Sequence, residues 1–290
     1  MRLGGYVFVK GNDPEEYALA HVKKGFGAAL CPDWVSLERP AELKAFRDAM
    51  KKHDIRIAEV GAWCNPLHPD KEEAEAKINY IIGRLRLAEE LGAATCVNIL
   101  GTKQTETWFG PCPEGYSEEF FKESAEVYQR IIDGVNPKTT KLSFEMMPYY
   151  FLDSPDGYLR FLEAIDREAA AVHLDICNAM NHPKRFFENG AFIKDTFAKL
   201  ADKIVTLHLK DIAMETDSLT VAFREVLLGT GGIDYPVLLE EIAKLPKDTP
   251  AMLEHLHDEA EYDAAAAATV RFMEGIGMHR EGMCWVNCRK

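Results

Sequence analysis

The chain has 290 residues, of which 47% are hydrophobic, and a formal net charge of −13 at pH 7. This composition is typical of one large globular domain or two small ones. An excess of acidic residues favours solubility. It provides no electrostatic attraction to a phosphate backbone or an anionic lipid surface, so we expect neither nucleic acid nor membrane as a partner.

Short apolar runs alternate with longer amphipathic segments along the whole chain. The runs, which we interpret as buried strands, are residues 2–9, 26–31, 55–61, 95–100, 141–146, 171–176, 204–209 and 251–256. Helix start signals stand at Asp13-Pro14 and Ser154-Pro155, and Asp70 and Gly92 bound a long amphipathic segment. Further helices are expected at about 40–53, 117–133, 155–166, 190–201, 235–245 and 259–274.

Eight strand–helix alternations without an internal break predict a single parallel sheet. No Gly-x-Gly-x-x-Gly motif follows the first strand, which favours closure into a barrel over an open, doubly wound sheet. We therefore expect an α/β protein in which residues 1–275 form one (β/α)8 TIM barrel. Residues 276–290 would form a short C-terminal extension that Trp285 pins to the barrel.

Cysteine usage and the N-terminal segment bear on the compartment. The seven cysteines include no Cys-x-x-Cys pair, and Cys31, Cys96 and Cys177 lie in apolar runs, which argues against a zinc-finger-type site. The first residues reach proline and acidic side chains too soon for a signal peptide, and no run approaches the roughly 20 apolar residues of a membrane span. We expect a cytoplasmic protein with reduced cysteines.

Four polar residues stand where four successive strands of the C-terminal half give way to loops. They are Glu145, Asp175, His208 and Glu254. In a barrel, the inward face at the C-terminal rim is where catalytic groups gather, and three buried carboxylates beside one imidazole would leave negative charge uncompensated. We therefore expect one divalent metal ion, Mn²⁺ first, with Mg²⁺, Co²⁺ or Zn²⁺ as alternatives. For any one of the four residues alone, an ordinary ion pair at the rim is the simpler interpretation.

This order of residues resembles the xylose-isomerase-like TIM-barrel superfamily, and within it the sugar and sugar-phosphate isomerase/epimerase group that includes ketose 3-epimerases and inosose dehydratases. The resemblance is sharpest where Asp175 lies in His-Leu-Asp and His208 in His-Leu-Lys-Asp, and residues 229–239 are similar to the glycine-rich loop of that group. It implies that these two residues, with Glu145 and Glu254, hold the metal. It also implies that the two glutamates stand on opposite sides of a small carbohydrate substrate and relay a proton.

The residue types suit this chemistry. A metal chelated by a carbonyl oxygen and its neighbouring hydroxyl stabilises the enediolate that forms when a proton leaves the adjacent carbon. One glutamate can remove that proton, and a second can return it from the other face. Return to the same carbon gives epimerisation, return to the neighbouring carbon gives isomerisation, and loss of a β-hydroxyl gives dehydration. We expect a metal-dependent isomerase or epimerase of a keto-sugar or related polyol, with a keto-inositol dehydratase as the alternative.

Five further residues near the strand ends are candidates for contacts with the substrate. They are Glu59, Trp63, Asn178, His182 and Lys210. Lys210 shares the strand face of His208 and would meet a hydroxyl, a phosphate or an oxyanion, or else pair with a neighbouring carboxylate. By the resemblance, Asn178 replaces a histidine that touches the substrate in epimerases of this group, and His182 would compensate from the same loop. Trp63 is the loop aromatic best placed to pack on a sugar ring. His173 is interpreted as a core residue.

Two other functions remain as alternatives. A zinc endonuclease acting at abasic DNA sites shares this barrel, but that family carries a metal-binding histidine at the position of Asn178. It also has an Asp-x-His pair downstream of the strand-seven histidine, and residues 212–225 contain none. A non-catalytic barrel with a vestigial metal site is the second alternative, because fold does not determine function. A homo-oligomer is compatible with the sequence, which selects no oligomeric state.

Overall fold

The computed structural model describes residues 1–217 and 219–287, so Cys288 and the end of the predicted C-terminal extension lie outside it. In chain order the strands are β1 (Arg2–Gly4), β2 (Ala28–Leu30), β3 (Arg56–Gly61), β4 (Thr95–Asn98), β5 (Lys141–Glu145), β6 (Ala170–Leu174), β7 (Ile204–Leu209), β8 (Asp211–Met214), β9 (Phe223–Val226), β10 (Pro250–Leu253), β11 (Met278–Glu281) and β12 (Cys284–Asn287).

Eight of these strands close into one parallel barrel, in the order β1-β10-β7-β6-β5-β4-β3-β2. The predicted (β/α)8 barrel is therefore confirmed. In this closed order β3 lies across the barrel from β7, and β4 lies across from β10. The loops that leave the C-terminal ends of these two strand pairs thus form opposite walls of the rim.

The helices lie between the strands. Among the described residues they are α1 (Pro14–Lys24), α2 (Pro40–Lys52), α3 (Lys71–Leu91), α4 (Glu118–Asp133), α5 (Pro155–Ile165), α6 (Pro183–Phe187), α7 (Asn189–Leu200), α8 (Tyr235–Ile242) and α9 (Glu259–Gly275). The predicted start signals are confirmed, because Asp13, Asp70 and Ser154 each accept hydrogen bonds from first-turn backbone N–H groups. Gly92 closes α3 in the left-handed conformation, as expected.

The first strand is shorter than predicted. Residues 2–9 form one apolar run in the sequence, but only Arg2–Gly4 pair with the neighbouring strands. A Cβ atom at Gly4 would lie 2.5 Å from Met252 Sδ and from the Ala28 carbonyl oxygen, so only glycine fits at the end of β1. Beyond it the chain leaves the barrel, and the side chains of Tyr6 and Phe8 are half exposed.

Two antiparallel hairpins were missed by the sequence interpretation. The hairpin β8–β9 follows β7 directly, with Asp211 paired to Val226. The hairpin β11–β12 lies in the C-terminal extension, where the Trp285 backbone N–H donates to the Met1 carbonyl and the Met1 ammonium group donates to the Trp285 carbonyl, both at 2.8 Å. The Trp285 side chain is buried.

The six described cysteines are free and buried. No helix in the described part of the chain is long and apolar enough to cross a membrane.

Candidate metal centre

Four side chains from consecutive strands of the barrel wall meet at its C-terminal rim. Glu145 ends β5, Asp175 follows β6, His208 lies in β7 and Glu254 follows β10. One ligand atom from each lies within 4.8 Å of the others, a spacing at which the group could hold a metal ion. The structure thus brings together the four residues that the sequence singled out as metal ligands.

The Nδ1 atom of His208 is the ring nitrogen that faces the carboxylates. It lies 3.0 Å from Glu145 Oε1, 2.9 Å from Glu254 Oε2 and 3.7 Å from Asp175 Oδ2. Within the described residues, Asp175 Oδ2 and Glu254 Oε2 are buried without a hydrogen-bond partner, although cationic atoms lie close to both. Buried carboxylate oxygens without hydrogen bonds are costly, and oxygen ligands around one point are what a hard divalent cation requires. The donor set therefore fits such an ion.

The three carboxyl groups of the cluster differ in their ionisation. Burial raises the pKa of Glu145 to about 7, although His208 beside it opposes the shift. Burial also opposes ionisation of Glu254 and Asp175, but the cationic His208 and Lys210 outweigh it. They lower the pKa of Glu254 to about 2 and hold that of Asp175 well below its usual range. Glu145 would have to release its proton to act as a ligand of a divalent cation.

Glu59 contacts the other nitrogen of His208. Its side chain is 2% exposed, its Oε2 atom lies 3.5 Å from His208 Nε2, and burial raises the pKa of its carboxyl group. The His173 ring packs edge-on against that of His208 at 4.0 Å between centroids, and its Nδ1 lies 2.6 Å from Thr206 Oγ1. The structure places Glu59 at the far nitrogen of His208, in a position to orient that ring, and its predicted contact with the substrate stays a prediction.

Lys210 and Asn178 connect the carboxylates to one another. Lys210 is 5% exposed, and its Nζ atom lies 2.9 Å from Asp175 Oδ2 and donates to Asn178 Oδ1 at 2.9 Å. The Asn178 amide in turn donates to Glu145 Oε1 at 3.1 Å. Both residues therefore lie at the cluster, and their predicted contacts with the substrate stay predictions. Burial alone would lower the pKa of Lys210, but the surrounding carboxylates, Asp175 foremost, raise it well above its usual value, so that its ammonium group stays charged.

The hairpin β8–β9 adds residues that sequence analysis missed. Glu225 Oε2 lies 2.8 Å from His255 Nδ1, and its Oε1 lies 3.5 Å from Lys210 Nζ. Together with Glu254 and His257 they line a cavity of about 370 Å³ on the β7 and β10 side of the rim. The sequence gives no clear signal for this hairpin, because neither 211–214 (Asp-Ile-Ala-Met) nor 223–226 (Phe-Arg-Glu-Val) alternates apolar with polar residues.

The remaining two candidates lie apart from each other. Trp63 follows β3, its ring centroid is 6.4 Å from that of His208, and it lines a second cavity on the β3 and β4 side. His182 is exposed and is not brought to the cluster. It caps α6, where its Nδ1 accepts from the Lys184 backbone N–H at 3.1 Å.

The comparisons with known proteins agree with this fold. The sequence profile described as a xylose isomerase-like TIM barrel matches residues 24–276, and the chain therefore belongs to that family. No curated protein matches the chain.

Solved structures with similar folds have different activities. Endonuclease IV from Thermus thermophilus has 15% sequence identity and a TM-score of 0.72, over 95% of this chain and 100% of that one. The probable 3-DHS dehydratase AsbF from Bacillus anthracis has 16% identity and a TM-score of 0.67, over 93% and 97%. The 3-keto-D-glucoside 4-epimerase YcjR from E. coli has 12% identity and a TM-score of 0.66, over 94% and 99%. At these identities the likeness establishes the fold, and the fold does not choose among the activities.

Proposed function

We propose that the protein is a divalent-metal-dependent isomerase or epimerase of a keto-sugar or related polyol. The observation that carries the proposal is the convergence of three carboxylates and His208 Nδ1 at the C-terminal rim of the barrel. The ligands would be Glu145, Asp175, His208 and Glu254, with Mn²⁺ as the first candidate ion and Mg²⁺, Co²⁺ or Zn²⁺ as alternatives.

The strand order gives the two glutamates different positions around the ion. β6 and β7, which bring in Asp175 and His208, lie between the strands of Glu145 and Glu254 in the barrel wall. A substrate held over the cluster would therefore have one glutamate on each flank. One would remove the proton from the carbon next to the carbonyl group, and the other would return it.

Lys210 and the ion that the four residues would hold have different roles in this transfer. When bound, a divalent cation would supply Lewis-acid polarisation of the substrate carbonyl. Lys210 would donate from its ammonium group to the oxygen that becomes negative. Dehydration of a keto-inositol shares the first proton abstraction and is the second candidate, because the same two carboxyl groups could then protonate a departing hydroxyl group.

A deuterium-exchange screen tests the proposal. Protein loaded with Mn²⁺ is incubated with ketoses and keto-inositols in D₂O, and incorporation of deuterium on carbon is followed by NMR. We expect exchange with at least one substrate, and product formation about 10²–10⁴-fold slower in Glu145→Gln and Glu254→Gln. Glu163→Gln changes an exposed residue of α5 and should behave as wild type.

Two outcomes would contradict the proposal. Metal binding without exchange on any ketose or keto-inositol would favour a non-catalytic barrel. Metal-dependent cleavage of an abasic duplex, with zinc added at low salt, would favour the nuclease. We expect the duplex to stay intact, because Asn178 directs its amide at Glu145 and the chain carries a net charge of −13.

A further inference from the structure

A second cavity opens on the wall of the rim that lies across the barrel from Lys210 and Glu225. It has a volume of about 380 Å³ and is formed by the loops after β3 and β4 and by the start of α3. Two of its lining residues are tryptophans, Trp63 and Trp108, which are 36% and 43% exposed. Large aromatic faces left accessible inside a cavity are available to a ligand.

Trp63 joins this cavity to the metal centre. Its indole lies against Gly61 at the end of β3, where a Cβ atom would come within 2.6 Å of Trp63 Nε1. Gly61 is itself fixed, because Arg84 Nε donates to its carbonyl oxygen at 2.8 Å. The ring therefore stands at the strand end, 6.4 Å from the His208 ring between centroids, while it also lines the cavity. A ligand on the metal centre and a ligand in the cavity would be neighbours across Trp63.

The loop that carries Trp108 is tethered to the segment after β5. The Gly110 N–H donates to the Tyr149 hydroxyl at 2.9 Å, and the Cys112 N–H donates to the Tyr150 hydroxyl at 2.7 Å. The Trp108 ring packs edge-on against that of Phe109, with 5.2 Å between the centroids. These contacts fix the course of the loop beside the cavity.

The charges in the cavity select against a phosphate group. Among its described lining residues, Glu73 and Glu106 oppose Lys77, with His68 as the other basic side chain. Phosphate recognition uses clustered arginine or lysine donors, and one lysine beside two glutamates does not provide such a cluster. Two indoles beside mixed polar groups instead suit a neutral ligand with apolar C–H faces and a rim of hydroxyl groups, which is a saccharide ring.

We propose that this cavity is a second saccharide subsite, and that the substrate carries an additional sugar ring joined by a glycosidic bond to the unit held at the metal centre. The identity of the unit at the metal rests on the proposed function. The existence of the subsite rests on the cavity and its two tryptophans.

Calorimetric titration of the Mn²⁺-loaded protein tests the subsite. D-fructose is compared with maltulose, isomaltulose and lactulose, each of which adds one hexopyranose to the same ketose, and with fructose 6-phosphate. At least one disaccharide should bind ten-fold or more tightly than D-fructose. Trp108→Ala should remove that advantage while leaving the affinity for D-fructose unchanged, and Trp108→Phe should keep most of it. Phe187→Ala, which removes an exposed aromatic ring outside the cavity, should have no effect.

The results separate this inference from the proposed function. The subsite is wrong if no disaccharide binds more tightly than D-fructose, if Trp108→Ala retains the advantage, or if fructose 6-phosphate is the tightest ligand. In each of these cases deuterium exchange on ketoses would still support the isomerase or epimerase. Absence of exchange on every ketose and keto-inositol would instead contradict the proposed function, whatever the disaccharides do.

Discussion

The two ring nitrogens of His208 face different carboxyl groups, and these neighbours determine how the ring is oriented and protonated. Nδ1 faces the three carboxylates, and Nε2 faces the buried Glu59. A carboxylate that accepts from the far nitrogen of a metal-binding histidine fixes the ring and raises its basicity as a ligand. Glu59 would therefore act through His208 rather than on the substrate.

Replacement of Glu59 should weaken the metal centre. We expect Glu59→Ala to lower the affinity for Mn²⁺ by about 10–100-fold, measured by titration against a competing chelator. Glu59→Gln keeps the side-chain volume and an oxygen acceptor and should recover part of the loss, whereas Glu59→Leu fills the space without an acceptor and should not. His208→Ala gives the lower limit, because it removes the ligand itself. Wild-type affinity in Glu59→Ala would contradict the orienting role.

The sequence predicts some of these residues better than others. Each of the four candidate ligands lies near the end of an apolar run, so a barrel brings them to one rim. Glu59 is the fifth of the seven residues in its run and Glu254 the fourth of the six in its own, so position in a run does not separate them. Strand alternation gives the face of a side chain but not its depth inside a barrel. Its place beneath His208 depends on how β3 is staggered against β4, where Glu59 pairs with Thr95.

At the scale of elements, Asp211 fastens the glycine-rich loop to the end of β7. Its carboxylate accepts backbone N–H groups of Ile212, Gly229, Gly231 and Ile233 at 2.9–3.2 Å. Gly231 is required at this contact, because a Cβ atom there would lie 2.2 Å from Asp211 Oδ1. The hairpin β8–β9 and the loop behind it are therefore held as one unit beside Lys210.

Asp211→Asn should destabilise the protein. Backbone N–H groups donate to both carboxylate oxygens of Asp211. An asparagine has an NH₂ group in place of one of these oxygens, so at least one buried N–H loses its acceptor. We expect a loss of about 3 kcal/mol in the free energy of unfolding, measured by urea denaturation. Asp202→Asn, which changes an exposed carboxylate, serves as the control. Equal stability of the two variants would show that the loop does not depend on this carboxylate.

Helix α1 contains a buried histidine that should make stability depend on pH. Burial lowers the pKa of His21 to about 4, its Nδ1 lies 2.9 Å from the Tyr17 carbonyl oxygen, and its Nε2 has no partner among the described residues. In the unfolded chain its pKa returns to about 6.5. Between these values the unfolded chain binds a proton that the folded chain does not, so stability falls as the pH is lowered.

The size of this effect can be measured against a variant that does not titrate. Protonation of His21 in the unfolded chain should lower the free energy of unfolding by about 2 kcal/mol between pH 7.5 and pH 5. His21→Phe keeps a ring against Phe26 and should reduce the pH dependence of the unfolding free energy by that amount. If wild type and variant lose stability in parallel, His21 is not the cause.

The barrel elements were predictable because their apolar periods and capping residues are local. The hairpin β8–β9 was not, because a short hairpin on the surface of a barrel has no long apolar run to reveal it. Its strands are only partly buried, and its register depends on Asp211 and the loop that Asp211 binds. Because the hairpin was missed, Glu225 and its contact with His255 were missed too.

For the molecule as a whole, metal binding should compete with protons. The pKa of Glu145 is about 7 and that of His208 lies well above its usual value, despite burial, because of the surrounding carboxylates. Both groups must lose their protons to act as ligands. The affinity for Mn²⁺ should therefore rise with pH, by about ten-fold or more between pH 6 and pH 8.

Titration with Mn²⁺ at pH 6, 7 and 8 measures this dependence, and the thermal midpoint should rise in parallel. An ion that binds only the folded chain adds about 2.7 kcal/mol at a free concentration 100 times its Kd. An affinity that does not change with pH would mean that the ion binds elsewhere.

The candidate ligands all come from β5, β6, β7 and β10, which are adjacent in the barrel wall, while β1 to β4 contribute none of them. The opposite wall reaches the centre through Glu59, which lies inside β3 and not in the loop after it. Substitutions confined to the loops after β3 and β4 therefore leave the four candidate ligands and Glu59 untouched. If the proposed function holds, a library of such variants should keep its affinity for Mn²⁺ while the range of sugars that it accepts changes.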